Sequence, residues 1–208
     1  MNAPRMVDRV RVWCLRHAES ESSTKVPGAG KDNRLTDLGR RQAIDAAQQL
    51  AADAISRIYS STALRARQTA DLLASTLATK PGTAGAAGLH VTAMPELVEV
   101  RCTAEVLRAW LVEQDLGQRV ADGETDGETG QQVVDRVTAA FQTSASAHPG
   151  ETVAVVGHVA SLTVALGRLC SLGSGVWGTP LPHARPFLVE WDGQAWHCPT
   201  WPARCAVA

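Results

Sequence analysis

The chain has 208 residues, a formal net charge of -1, 45% hydrophobic and 20% charged residues. That length and composition suffice for one folded domain with a full core and exclude a disordered chain. The near-neutral charge offers no footprint for nucleic acid, and apolar runs such as residues 153–156 are far too short to span a bilayer.

Residues 1–5 lack the apolar region of a signal peptide, so a cytoplasmic location is expected. The 5 cysteines are odd in number and scattered without a CxxC, which fits free thiols in a reducing compartment. Cys198 and Cys205 lie near His197, but the spacing matches no zinc pattern, so neither a metal nor another cofactor is expected.

Strand-like and helix-like segments alternate, which predicts an α/β fold: a three-layer α/β/α sandwich around a central, mostly parallel sheet. Residues 10–15 read as a buried strand. A polar loop follows through residue 35, carrying Pro27-Gly28-Ala29-Gly30. Thr36 is an N-cap candidate for a helix to about residue 52. Residues 55–60 read as a short strand and 62–79 as a helix stopped by Pro81-Gly82. A strand is expected at 89–93 and a helix from 103 or 104 to about 112. The tandem acidic repeat at 122–129 lacks EF-hand spacing and reads as a solvated loop. A helix over 131–147, a buried strand at 152–156 and a helix to about 170 follow. Residues 186–191 and 194–198 read as a C-terminal β-hairpin about Asp192-Gly193. No linker interrupts the chain, so residues 1–208 are taken as one domain. Trp13 and Trp191 are expected in the core.

Several reactive side chains fall at strand ends. Arg16 and His17 leave the first strand, Arg65 lies a helical turn past the second, Glu99 follows the third, and His158 follows the strand at 152–156. In an open parallel sheet those ends converge on the ligand crevice. A neutral imidazole is nucleophilic at pH 7, and an adjacent arginine can hold a phosphoryl group while it attacks. His158 also fits a plain helix cap, and Glu96 competes with Glu99 as the acid.

Leu15-Arg16-His17-Ala18-Glu19-Ser20 resembles the signature of the histidine phosphatase superfamily, the phosphoglycerate-mutase-like fold. Leu35 to Ala43, Tyr59 to Ala70, Leu97-Val98-Glu99, Gly127-Glu128-Thr129 with Arg136-Val137, and Val155-Val156-Gly157-His158 resemble its later motifs, in family order. The resemblance implies that His17 forms a phosphohistidine, that Arg16, Arg65 and His158 surround the phosphoryl oxygens, and that Glu99 is the proton donor and later the base. Ser23 stands where the family often has an asparagine and is assigned to phosphate binding. Ala18, Val100-Arg101-Cys102-Thr103 and Val159-Ala160 depart from the family pattern, mainly by lacking its glycines.

The implied activity is a metal-independent phosphomonoesterase of the histidine acid type, acting on a small-molecule phosphate ester. Alternatives are a phosphoglycerate-type mutase and a non-catalytic phosphate-binding or interaction module. Glu99-Val100-Arg101-Cys102-Thr103 lacks the mutase pattern at the acid motif. The ester itself and a homo-oligomeric state stay open.

Overall fold

In the computed structural model, which describes residues 9–23, 33–79, 89–117, 119–121, 126–178 and 180–202, the β-branched start of the chain is strand β1 (Val10–Arg16). Its alternation serves two cores. Val10, Val12 and Cys14 join one apolar cluster, while Leu15 joins the other with Trp13 packed against it.

Helix α1 (Asp37–Gln49) starts at Thr36, whose hydroxyl accepts from the Gly39 amide at 3.0 Å. Gly39 is forced by proximity: a Cβ there would stand 2.0 Å from the Glu19 carbonyl oxygen. Strand β2 (Ile55–Ser61), helix α2 (Leu64–Ala78) and strand β3 (Val91–Met94) follow. A 3-10 turn at Pro95–Leu97 leads to helix α3 (Ala104–Arg108), which widens into a π-helical turn at Ala109–Glu113 instead of continuing as the expected α-helix. The wide turn seats Trp110, 1% exposed, against Gly130, where a Cβ would come within 2.8 Å of the indole.

Strands β4 (Arg119–Ala121) and β5 (Asp126–Thr129) form a small antiparallel pair. The second half of the acidic repeat is therefore a strand rather than a solvated loop, because Thr129 caps helix α4 (Gly130–Ala147) and Glu128 is bound by Arg136. Strand β6 (Thr152–Gly157), helix α5 (Val159–Leu169), a 3-10 turn at Gly173–Val176, and the hairpin strands β7 (Phe187–Trp191) and β8 (Trp196–His197) complete the chain. Residues 24–32, 80–88, 122–125 and Cys205, and with them the expected Pro/Gly loop and Pro81-Gly82 helix stop, lie outside the described residues.

The main sheet has the order β3-β2-β6-β1-β7-β8. Its first four strands are parallel, and β7 and β8 run antiparallel at the other side. Helices α1 and α2 cover one face with Leu15, Ile58, Ala154 and Val156. Helices α4 and α5 cover the other with Val12, Cys14, Val153 and Val155. This is the expected α/β/α sandwich with a terminal hairpin. Trp13 and Trp191 are half-buried at the edges of the two cores rather than inside them. Among the described residues no helix is long and apolar enough to cross a membrane.

Candidate active site

The parallel register decides which side chains meet. Arg16 of β1 pairs with Gly157 of β6, so the next residue on each strand is a histidine. The His17 amide donates to the Gly157 carbonyl at 2.9 Å, and the His17 and His158 ring centroids lie 5.1 Å apart. On the other side of β6, Ser60 pairs with Val156, which puts Ser61 beside His158.

Hydrogen bonding sets both tautomers. His17 Nδ1–H donates to the Ala18 carbonyl at 2.8 Å. Its Nε2 accepts from Arg65 Nε–H at 3.1 Å and so carries a lone pair. Arg65 Nη2 donates to His158 Nδ1 at 3.2 Å, and His158 Nε2–H donates to Ser61 Oγ at 2.8 Å. His158 holds the N-cap position of α5, but its side chain makes no cap bond and is engaged by Arg65 and Ser61 instead.

Both rings are buried, with 4% of His17 and none of His158 exposed. Burial foremost, then the charges of Arg65 and Arg16, lowers His17 to about 3, against the opposing pull of its bond to Ala18. Burial, then His17, Arg65 and Arg16, lowers His158 to about 2. Both imidazoles are therefore neutral across the physiological range.

The two arginines face neutral partners. Arg16 Nη1 donates to the Leu181 carbonyl at 2.9 Å, while its buried Nε–H has no partner among the described residues. Neither guanidinium has a carboxylate within ion-pair distance among the described residues. Two half-buried cations with donors aimed at neutral groups form an anion site.

Glu99 occupies the N-terminus of α5. Its Oε1 accepts from the Ser161 amide at 2.9 Å and from its own neighbour Val100 at 3.1 Å, and Oε2 accepts from Ala160 at 3.3 Å. Burial raises its pKa, with these amide bonds and Arg65 pulling the other way. Glu96, the competing acid, contributes its backbone: its carbonyl accepts from Arg136 Nη1 at 2.6 Å. Ser23 is exposed, and its hydroxyl meets Ser20 at 3.4 Å rather than either histidine.

Three supporting residues had no role assigned from the sequence, although Thr69 and Arg136 fall within the family-like motifs. His183 Nδ1–H donates to the His17 carbonyl at 2.9 Å, with the ring centroids 5.4 Å apart. Thr69 accepts from the Ala18 amide at 3.0 Å and donates to the Arg65 carbonyl at 2.7 Å, tying the His17 loop to α2. Arg136 bridges Glu128, at 2.6 and 2.9 Å, to the Glu96 and Val98 carbonyls, at 2.6 and 2.8 Å, and so anchors the segment that carries Glu99. The pairing of Glu128 with Arg136 across the start of α4 was the available signal. Among the described residues no cluster of metal-ligating side chains occurs.

The model of the histidine phosphatase superfamily (branch 1) matches residues 12–203. No curated protein sequence matches the chain. Among solved structures, YhfR of Bacillus stearothermophilus superposes with a TM-score of 0.72 at 20% identity, covering 94% of this chain and 98% of that one. The alpha-ribazole phosphatase of Shigella flexneri gives 0.67 at 21% identity, covering 94% and 97%. A mycobacterial glucosyl-3-phosphoglycerate phosphatase gives 0.65 at 21% identity, covering 94% and 99%. At these identities the superpositions establish the fold.

Proposed function

The chain belongs to the histidine phosphatase superfamily, and from that membership and the geometry around His17 we propose that it is a metal-independent phosphomonoesterase acting through a phosphohistidine. The observation that carries the reading is the state of His17: Nδ1–H is held by the Ala18 carbonyl, and the Nε2 lone pair lies at an arginine with no carboxylate partner.

The steps follow from these groups. A phosphate ester dianion enters between Arg16 and Arg65, whose donors turn from neutral acceptors to phosphoryl oxygens. The Nε2 lone pair attacks phosphorus as the bond to the ester oxygen breaks. The ring gains positive charge, which the Nδ1–H bond to the Ala18 carbonyl stabilises. Glu99, whose hold on a proton burial strengthens, gives that proton to the leaving oxygen in this scheme, and the alcohol departs. Water then attacks phosphorus while the Glu99 carboxylate takes its proton. The N–P bond breaks, phosphate leaves, and His17 and Glu99 return to their starting states. Each phosphoryl contact is electrostatic, so positioned donors supply the stabilisation. A buried carboxyl as acid and a nucleophile that stays neutral at low pH suit an acid-type phosphatase.

The test is a panel of phosphate esters incubated with chelator. The proposal predicts phosphate release that His17→Ala abolishes. Release no faster than the His17→Ala control would favour the non-catalytic module, and interconversion of phosphate positions primed by a bisphosphate would favour a mutase.

A further inference from the structure

A cleft of about 200 Å³ is walled by Leu107, Leu111, Val159, Thr163, Val176 and Trp177. Two of its lining residues are chain neighbours of groups in the site. Val159 directly follows His158 on the chain. Pro180, also on the lining, directly precedes Leu181, whose carbonyl holds Arg16 Nη1 at 2.9 Å.

The walls have a definite chemistry. None of the side chains is charged. The Thr163 hydroxyl already donates to the Val159 carbonyl at 2.6 Å, so its proton is spent. The π-helical turn at Ala109–Glu113 is the kind of local widening that recurs at functional sites, and it carries Leu111 of the lining. Trp177 is 37% exposed, one of two large apolar side chains left at the described surface. It lies at the cleft, where a ligand would cover it.

The geometry points to this cleft as the seat of the substrate's alcohol portion, selecting an uncharged, apolar alkyl or aryl group. The inference rests on the phosphatase reading above. A carboxylate or second phosphate placed here would lose its hydration without gaining a cationic partner, whereas an apolar group gains burial. The volume lies below the roughly 300 Å³ low end of drug-sized pockets, which suits one ring or a short branched chain.

The test compares 3-methylbutyl phosphate with glycerol 3-phosphate, two alkyl esters of similar size whose leaving alcohols are both poor. The wild-type kcat/KM is expected to favour the apolar ester by at least about tenfold, the scale of discrimination an apolar pocket supplies. Trp177→Ala should pull that ratio toward one. Leu107→Lys, a second variant on the lining, should also lower that ratio by placing a charge in the apolar cleft. Hydrolysis of both alkyl esters with no preference, or a ratio that neither variant moves, overturns the cleft assignment and leaves the phosphatase reading standing. Failure of every ester to react faster than with His17→Ala overturns that reading and the assignment with it.

Discussion

Arg65 Nε lies 3.1 Å from His17 Nε2, while Nη2 of the same guanidinium lies 3.2 Å from His158 Nδ1. One planar cation thus spans both imidazoles, and its position is fixed by Thr69, which accepts from Ala18 and donates to the Arg65 carbonyl. Arg65→Gln is expected to lower kcat/KM by about 100- to 1,000-fold, the usual cost of removing one donor from developing charge. Arg65→Lys should recover little, because a single ammonium cannot reproduce the fork. Steady-state kinetics on any cleaved ester checks both.

Activity should depend on pH through two groups of opposite requirement. The reactive free enzyme has His17 neutral and Glu99 protonated. His17 loses its lone pair only as pH falls to about 3. Glu99 loses its proton as pH rises through its burial-raised pKa. The kcat/KM profile, corrected for ionisation of the ester, is therefore a bell whose alkaline limb belongs to Glu99. Glu99→Gln should remove that limb and depress turnover of alkyl esters. A rate that climbs steadily into alkaline pH would contradict the assignment.

Stability should fall at low pH. Both histidines have folded pKa values, about 3 and about 2, below the ordinary 6.5. Between those values the unfolded chain binds protons that the folded chain refuses, so stability is full above pH 6.5 and falls as pH drops below it. Each histidine contributes a slope of up to about 1.4 kcal/mol per pH unit. Glu99 has the reverse sign: its raised folded pKa favours folding at low pH and loses that contribution as pH rises through it. Urea midpoints should be lower at pH 5 than at pH 7, and His158→Asn should flatten the difference.

Arg136 acts at one remove from the chemistry, as a positioning residue. Its four bonds tie Glu128 to the carbonyls of Glu96 and Val98, just ahead of Glu99. Arg136→Met should cost about 2 kcal/mol of stability, since bonds to charged groups are worth ~1.5–3 kcal/mol. It should also slow alkyl esters more than 4-nitrophenyl phosphate, whose leaving group needs less protonation. Equal slowing of both would mark the clamp as structural only.

Much of this was legible because the motif residues sit at the ends of strands that periodicity and β-branching reveal. Parallel pairing then does the rest: once Arg16 faces Gly157, His17 and His158 are neighbours. What stayed hidden depends on long-range contacts without a local signature. His183 lies 166 residues from the His17 carbonyl it bonds, in a loop with no pattern of its own. The acidic repeat looked solvated because composition does not disclose that Glu128 faces Arg136, 8 residues on. Spacing does not distinguish Glu96 from Glu99; the Glu99 carboxylate lies on the start of α5, while the Glu96 carbonyl accepts from Arg136.

The most direct measurement is to quench the enzyme with alkali during turnover of a phosphate ester and map phosphorylation by peptide mass spectrometry. The account predicts an acid-labile, base-stable phosphoramidate on His17, lost in His17→Ala together with phosphate release. Label on another residue, or turnover by His17→Ala at the wild-type rate, would contradict it.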